Sequence, residues 1–297
     1  MDQNNFESLP TSVISEIERH VNRIISSASL FYRLFARQKS SSSASKKIKI
    51  KKYDHTKKMQ DLFGVRIALY FKDDIRICRE LIEKNFNVVG ISEDIEKTSV
   101  FEPVRLNYVC RLPTDIRGMI TNDFWNQYPI DDTFEIQIRT VFSEGWHEIE
   151  HDLRYKCKED WKDDVEMSRA LNGIFATLET CDWSIISLFD KLSYQKYISN
   201  SWEAMLRNKL RIRISDNAIN PDLRKILDNK KEIAKGLYKL DREEFILLMS
   251  NKPFSAFPKT YDNIIYIANM YYWHDSEITS LTPDPLIKKK HDYLSDM

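Results

Sequence analysis

The stretch 134–140, FEIQIRT, alternates strictly between apolar and polar residues. With a period of two, Glu135, Gln137 and Arg139 share one face of a strand, and Phe134, Ile136 and Ile138 line the other. Three polar side chains in a row on a core-like strand need partners, because burying them unpaired costs free energy. They face either solvent at a sheet edge or a cleft. A second carboxylate, Asp61, opens the apolar run DLFGVRIALYF, where Gly64 permits close backbone approach. Two carboxylates, Asp61 and Glu135, at the ends of neighbouring strands would suit one Mg²⁺ shared with nucleotide phosphates. Strict alternation puts Asp61 and Arg66 on opposite faces, so either Asp61 precedes the regular strand or the chain bulges near Gly64.

The segment from Arg33 to Lys58 holds ten Lys or Arg residues against one acid, Asp54, in a chain of zero formal net charge. With no global field, a polyanion site must come from such local clustering. Arg37, Lys39, Ser40 and Lys47 fit a phosphate clamp, although a solvated basic surface has the same composition. HEIEH, residues 147–151, matches the zinc-protease pattern H-E-x-x-H. A zinc site also needs a third ligand, and the metzincin continuation is absent because the chain runs on as HDLRYKC. His151 reads as a packed or hydrogen-bonded helix histidine.

The elements that would position these residues follow from periodicity. Apolar positions Val13, Ile14, Ile17, Val21, Ile24 and Ile25 predict one helix from residue 11 that continues toward Phe35. The serine run 40–43 reads as a loop and cap before a lysine-rich helix. DLFGVRIALYF, FNVVGIS, VRLNYVCRLP and FEIQIRT read as strands, and IRICRELIEKNF, VFSEGWHEIEHDLRYK and 164–192 as helices, with a polar connection over 114–131. From about 196 the pattern is helical and broken by prolines. The fold class expected is α+β, a mixed β-sheet flanked by helices. Its domains would be residues 10–195 and a helical C-terminal region over 196–297. At 42% hydrophobic and 30% charged, the 297-residue chain is a globular protein rather than a disordered or fibrous one. Four scattered cysteines argue against a disulfide framework. With no apolar run of bilayer length and no targeting pattern at the start, the expectation is a cytoplasmic protein without a membrane partner.

Taken together and in order, DLFGVRI, FEIQIRT and WHEIEHDLRYK, preceded by Arg37-x-Lys39-Ser40 and by Lys47 ten residues after Arg37, resemble the RelA/SpoT synthetase domain in its small, single-synthetase form. The resemblance covers roughly residues 10–192. It implies transfer of the β,γ-pyrophosphate of ATP to a ribose 3′-hydroxyl, usually of GDP or GTP. Arg37 and Arg66 would hold ATP, and Lys39, Ser40 and Lys47 would contact phosphates. Asp61 would bind Mg²⁺. Glu135 would complete the metal site or deprotonate the attacking hydroxyl, supported by Gln137 and Arg139. His147 falls at a position expected to vary in this family, so its match to the protease pattern is fortuitous.

The acceptor loop departs from the family's G-Y-x-S-x-H segment. Asn107 stands at the histidine's place, Arg105 at the serine's and Pro103 at the tyrosine's, leaving Tyr108 or Phe101 as replacement stackers. Three readings stay open: a (p)ppGpp synthetase with a modified loop, an enzyme acting on tRNA 3′-ends or adenine nucleotides as toxic relatives do, and an inactive nucleotide- or RNA-binding regulator. Partners follow accordingly: ATP, a nucleotide acceptor or tRNA, and a second copy of the chain or an antitoxin. Only about ten residues precede the first helix, and the His-Asp pairs at 151–152, 274–275 and 291–292 stand isolated, so a hydrolase domain is not expected.

Overall fold

The computed structural model describes residues 11–93 and 106–295. They divide into two compact units, one built from residues up to Ile24 and from Tyr32–Asp182, the other from Ile25–Phe31 and from Trp183 onward.

The first unit is organised by a five-stranded sheet of order β1-β2-β5-β4-β3. Its strands are β1 (Tyr32–Gln38), β2 (Phe63–Leu69), β3 (Val88–Glu93), β4 (Leu106–Arg111) and β5 (Thr133–Thr140). β2 and β5 pair in parallel, and the other neighbours are antiparallel. The sheet is therefore mixed, as expected. The helices are α1 (Thr11–Ser26), α2 (Ser41–Lys51), α3 (Asp74–Asn85), two short ones, α4 (Thr114–Arg117) and α5 (Asn122–Gln127), then α6 (Val141–Ile149), the single turn α7 (Lys158–Trp161) and α8 (Val165–Ile198), within which the division between the units falls. A π-helical segment, Glu150–Tyr155, continues α6.

One face of the sheet is core. Phe63, Val65, Ile67, Phe134, Ile136 and Ile138 are buried there, and Phe86 after α3 meets Phe134 edge-on with ring centroids 5.7 Å apart. His20 of α1 packs on the same Phe86 ring. The other face carries the polar residues of β5, and α6 lies on that side.

Three elements differ from the sequence reading. The helix expected to run on toward Phe35 stops at Ser26, and Ser29 takes a left-handed φ of 54°. Residues 32–38 then form edge strand β1, whose burial alternates residue by residue. The serine run is not a loop: Ser40 alone is the N-cap, its side chain accepting from the Ser43 N–H, and Ser41–Ser43 form the first turn of α2. The connection 114–131 contains α4 and α5, which bury Ile116, Phe124 and Trp125.

The second unit is helical: α9 (Trp202–Leu210), α10 (Pro221–Asn229), α11 (Lys231–Lys239), α12 (Arg242–Ser250), α13 (Tyr261–Ala268), α14 (Ser276–Leu281) and α15 (Asp284–Ser295). Its core is anchored by Trp202, fully buried, whose indole N–H donates to Asp228 at 2.8 Å. Several buried polar groups there are satisfied by backbone, among them Arg242 through Leu210 O and Ser250 through Ile246 O. The Lys259 ammonium donates to the carbonyls of Met249 and Phe254 at 2.8 and 3.2 Å. No helix among the described residues is long and apolar enough to cross a membrane.

Candidate functional site

Strand register sets the site. Arg37 of β1, Gly64 of β2, Glu135 of β5 and Val109 of β4 stand opposite one another across the sheet. One step along lies a second row: Phe35, Arg66, Gln137 and Asn107. Residues paired in this way share a face, so Arg37, Arg66, Glu135, Gln137 and Asn107 all occupy the side opposite the core. Regular β2 begins only at Phe63. Asp61 therefore precedes the strand, and the parity conflict between Asp61 and Arg66 disappears without a bulge.

Asp61 is held by the basic segment. Its Oδ2 accepts from Lys47 Nζ at 2.5 Å and pairs with Lys39 Nζ at 3.3 Å. Burial pushes the Asp61 carboxyl up, but the bond from Lys47 and the charge of Lys39 outweigh it and hold the group below the usual carboxylate range. Oδ1 is buried and makes no hydrogen bond. Asp61 and Glu135 both line two cavities. One, of about 390 Å³, is also walled by Phe35, Arg37, Lys39, Gly64 and Arg66. The other, of about 530 Å³, is walled by Lys47 and the segment 53–60. A buried carboxylate oxygen without a partner, beside a second carboxylate and a lysine clamp, is a donor set that fits Mg²⁺, which commonly takes one or two carboxylates together with substrate phosphates. Among the described residues, no group of three His, Cys, Asp or Glu is placed to hold a metal without such help.

Gln137 is the connector. Its amide donates to Glu135 Oε2 at 2.9 Å and accepts from Arg66 Nε at 3.1 Å. Arg66 also donates to Glu144 and Glu148 of α6, and Arg139, largely buried, pairs with Glu144 at 3.3 Å. Sequence reasoning missed these two glutamates. Their i,i+4 spacing on the helix directly after the polar strand was the available signal. Arg66 thus lines the smaller cavity with its N–H edge already committed to carboxylates, which fixes its guanidinium in place.

The remaining expected residues divide. Ser40 caps α2, while Asn107 lies on the site face beside Gln137, with its Oδ1 buried and unbonded. Tyr108 is 0% exposed, stands opposite Ile136 on the core face and donates its hydroxyl to Glu83 of α3 at 2.7 Å. A ring so placed cannot stack on an acceptor base, and Tyr108 leaves the acceptor group. Arg105, Pro103 and Phe101 lie outside the described residues. In HEIEH, burial and then the charges of Arg139 and Arg66 push the His147 imidazole down to about 4. Two guanidiniums beside it oppose a divalent cation there, in keeping with a fortuitous motif.

The end of β5 is secured from α8. Thr140 caps α6 by accepting from Ser143 N–H at 3.1 Å and donates its hydroxyl to Asp182 Oδ2 at 2.8 Å. Asp182 is 3% exposed and its Oδ1 has no hydrogen-bond partner. Burial, only partly offset by Thr140 and Lys72, raises the Asp182 carboxyl to about 6. The sign follows from linkage. Between about pH 4 and 6 the native state holds a proton that the unfolded chain has released, so this group's contribution to stability falls as pH rises and levels off above 6. The cost at neutral pH is on the order of 3 kcal/mol. Asp182→Asn removes the titration. The melting temperature of the variant relative to the native chain is expected to rise between pH 4 and 6 and then stay constant, and a difference independent of pH would contradict this account.

Residues 36–160 match the family described as "Region found in RelA / SpoT proteins". The chain is 35% identical over 102 residues to GTP pyrophosphokinase YjbM of Bacillus subtilis, a match that covers 33% of this chain and spans less than half, 43%, of that protein. Among solved structures, B. subtilis small alarmone synthetase 2 aligns at TM-score 0.47 and 20% identity, covering 60% of this chain and 93% of the other. B. subtilis small alarmone synthetase 1 bound to its product pppGpp aligns at TM-score 0.45 and 22% identity, covering 62% and 96%. The span that matches the RelA/SpoT region, residues 36–160, takes in the lysine clamp, Asp61, the polar strand and the helix that grips Arg66.

Proposed function

We propose that this protein is a nucleotide pyrophosphokinase that moves the β,γ-pyrophosphate of ATP to the ribose 3′-hydroxyl of a guanosine nucleotide. Residues 10–195 would form the synthetase domain, with 196–297 as a helical accessory region. The observation that carries the reading is Asp61, clamped through one oxygen by Lys47 and Lys39 with its other oxygen buried and unbonded, in a wall shared with Glu135.

The acceptor 3′-oxygen attacks the β-phosphorus, the bridging bond from the α-phosphoryl oxygen to the β-phosphorus breaks, and AMP leaves with that oxygen. The hydroxyl proton goes to Glu135, whose carboxylate is oriented by the Gln137 amide. Lys39, Lys47 and Arg37 offset the charge on the transferring group. Asp61 and Glu135 would hold Mg²⁺, which when bound neutralises and orients the phosphates. Such chemistry depends on positioning and electrostatics more than on covalent intermediates.

Labelled ATP offered in parallel with GDP, GTP, AMP, ATP and bulk tRNA tests donor and acceptor together. The expected result is AMP release with label appearing in a guanosine nucleotide. Label in tRNA or an adenine nucleotide instead would assign the second reading, which Asn107 in the family histidine's place and the buried Tyr108 favour. Nucleotide binding without AMP release would reduce the protein to a regulator.

A further inference from the structure

The larger cavity has a wall that the catalytic reading does not use. Tyr53, His55, Lys57 and Lys58 line it on the far side of Asp61 and Glu135 from Arg37 and Arg66. This basic segment is a built turn. At its start, α2 ends on Lys52 in the left-handed region, φ 52°, and Tyr53 N–H donates back to Ile48 O at 3.0 Å. In the middle, Asp54 Oδ1 accepts from the Thr56 and Lys57 N–H groups, each at 2.8 Å, and Asp54 N–H closes onto Lys57 O at 3.0 Å. At its end, fully buried Met59 bonds to Pro129 and Asp131 through its backbone. Of the three carboxylates that line this cavity, Asp61 and Glu135 form the wall shared with the smaller one, and Asp131 is taken up by Gln60 at 3.3 Å and Arg111 at 3.5 Å. His55 and Lys57 stay exposed and Lys58 half-buried, on a backbone that pays little further ordering cost when an anion arrives.

We infer that the turn 53–58 is the acceptor's phosphate site: His55, Lys57 and Lys58 hold the 5′-di- or triphosphate of a nucleoside acceptor whose 3′-hydroxyl faces Glu135 from the larger cavity. This rests on the pyrophosphate transfer proposed above. Placing donor and acceptor on opposite sides of the Asp61–Glu135 wall satisfies the in-line geometry of phosphoryl chemistry. The cations are gathered at one turn, which suits a ligand with several charges at one end. A polynucleotide spreads one charge per phosphodiester along its length, and a nucleoside polyphosphate is the better match.

The test compares the native chain with Lys57→Ala/Lys58→Ala, using guanosine, GMP, GDP and GTP as acceptors at saturating ATP. In the native chain the acceptor KM should fall as phosphates are added. In the variant the KM for GDP and GTP should rise about 10- to 100-fold, the dependence on phosphate number should flatten, and the KM for ATP should not move. Lys57→Arg/Lys58→Arg should recover most of the affinity. An unchanged GDP KM, or an ATP KM that rises in step, overturns the inference. So does a variant that loses only tRNA labelling, which would assign the turn to RNA. Calorimetric titration of both proteins with GDP separates this inference from the transfer reading. If the native chain shows no transfer to any acceptor, weaker GDP binding by the variant upholds the turn as a polyphosphate site while the reaction falls. Equal GDP binding by the two proteins overturns the turn itself.

Discussion

If the proposed reaction holds, Glu135→Gln should lower the rate of pyrophosphate transfer by about 10³-fold, the range expected for removal of a general base, and leave the protein folded and able to bind ATP. The substitution removes the proton acceptor while the local network survives it, and the amide oxygen of the new side chain stays available as a neutral ligand to the Mg²⁺ that Asp61 and Glu135 would hold. Gln137 accepts from Arg66 through its carbonyl oxygen, which fixes its amide group to donate toward residue 135. A glutamine there still offers a carbonyl oxygen to that donor. What disappears is one negative charge and the capacity to take the 3′-hydroxyl proton. Steady-state kinetics should place the loss in kcat, with the KM for ATP within a few-fold of native, and the melting temperature should not fall. Residual transfer within tenfold of native would remove Glu135 from the reaction. Asp61→Asn should behave differently. It releases Lys47 and Lys39 from their partner, so ATP binding changes together with turnover.

Much of this site was legible because a two-residue period survives folding. FEIQIRT reads as a strand with a polar face, and the structure puts Glu135 and Gln137 on one side and Ile136 and Ile138 on the other. What periodicity could not supply was register. Tyr108 and Asn107 are adjacent in sequence, and only the pairing of β4 with β5 decides that Asn107 faces the site and Tyr108 the core. Edge strand β1 was hidden for another reason. Ile17, Val21, Ile24 and Ile25 continue into Ala28, Leu30 and Leu34 at spacings a helix tolerates, and the break rests on the short serine-rich stretch around Ser29. A strand paired on one side only is free to leave Phe35 55% exposed, which blurs its alternation. The grip of Glu144 and Glu148 on Arg66, and of Asp182 on Thr140, joins residues 42 or more positions apart. The i,i+4 spacing of Glu144 and Glu148 marks a shared helix face, but nothing local names Arg66 or Thr140 as the partner.

Gly64→Val should give a protein at least as stable as the native chain and inactive in transfer. Gly64 lies within β2 between Arg37 and Glu135, its backbone is not in the left-handed region, and a Cβ placed there meets no atom within 4 Å. The fold therefore does not require glycine. A β-branched residue on a paired strand should add up to about 1 kcal/mol, since glycine weakens a strand interior through backbone entropy. The space that a Cβ would enter belongs to the smaller cavity, between the cation of β1 and the carboxylate of β5. Under the proposed function, a valine there stands where the nucleotide would cross the sheet. Displacing a reacting group by about 1 Å costs on the order of 100-fold, so transfer should fall by at least that factor, with weakened binding of a non-hydrolysable ATP analogue. Gly64→Ala, with only a methyl group, should fall between. The two readouts move in opposite directions, which separates this effect from misfolding. A fully active Gly64→Val protein with a raised melting temperature would mean that ATP does not lie over this part of the sheet, and Arg37 and Arg66 would lose their assigned ligand.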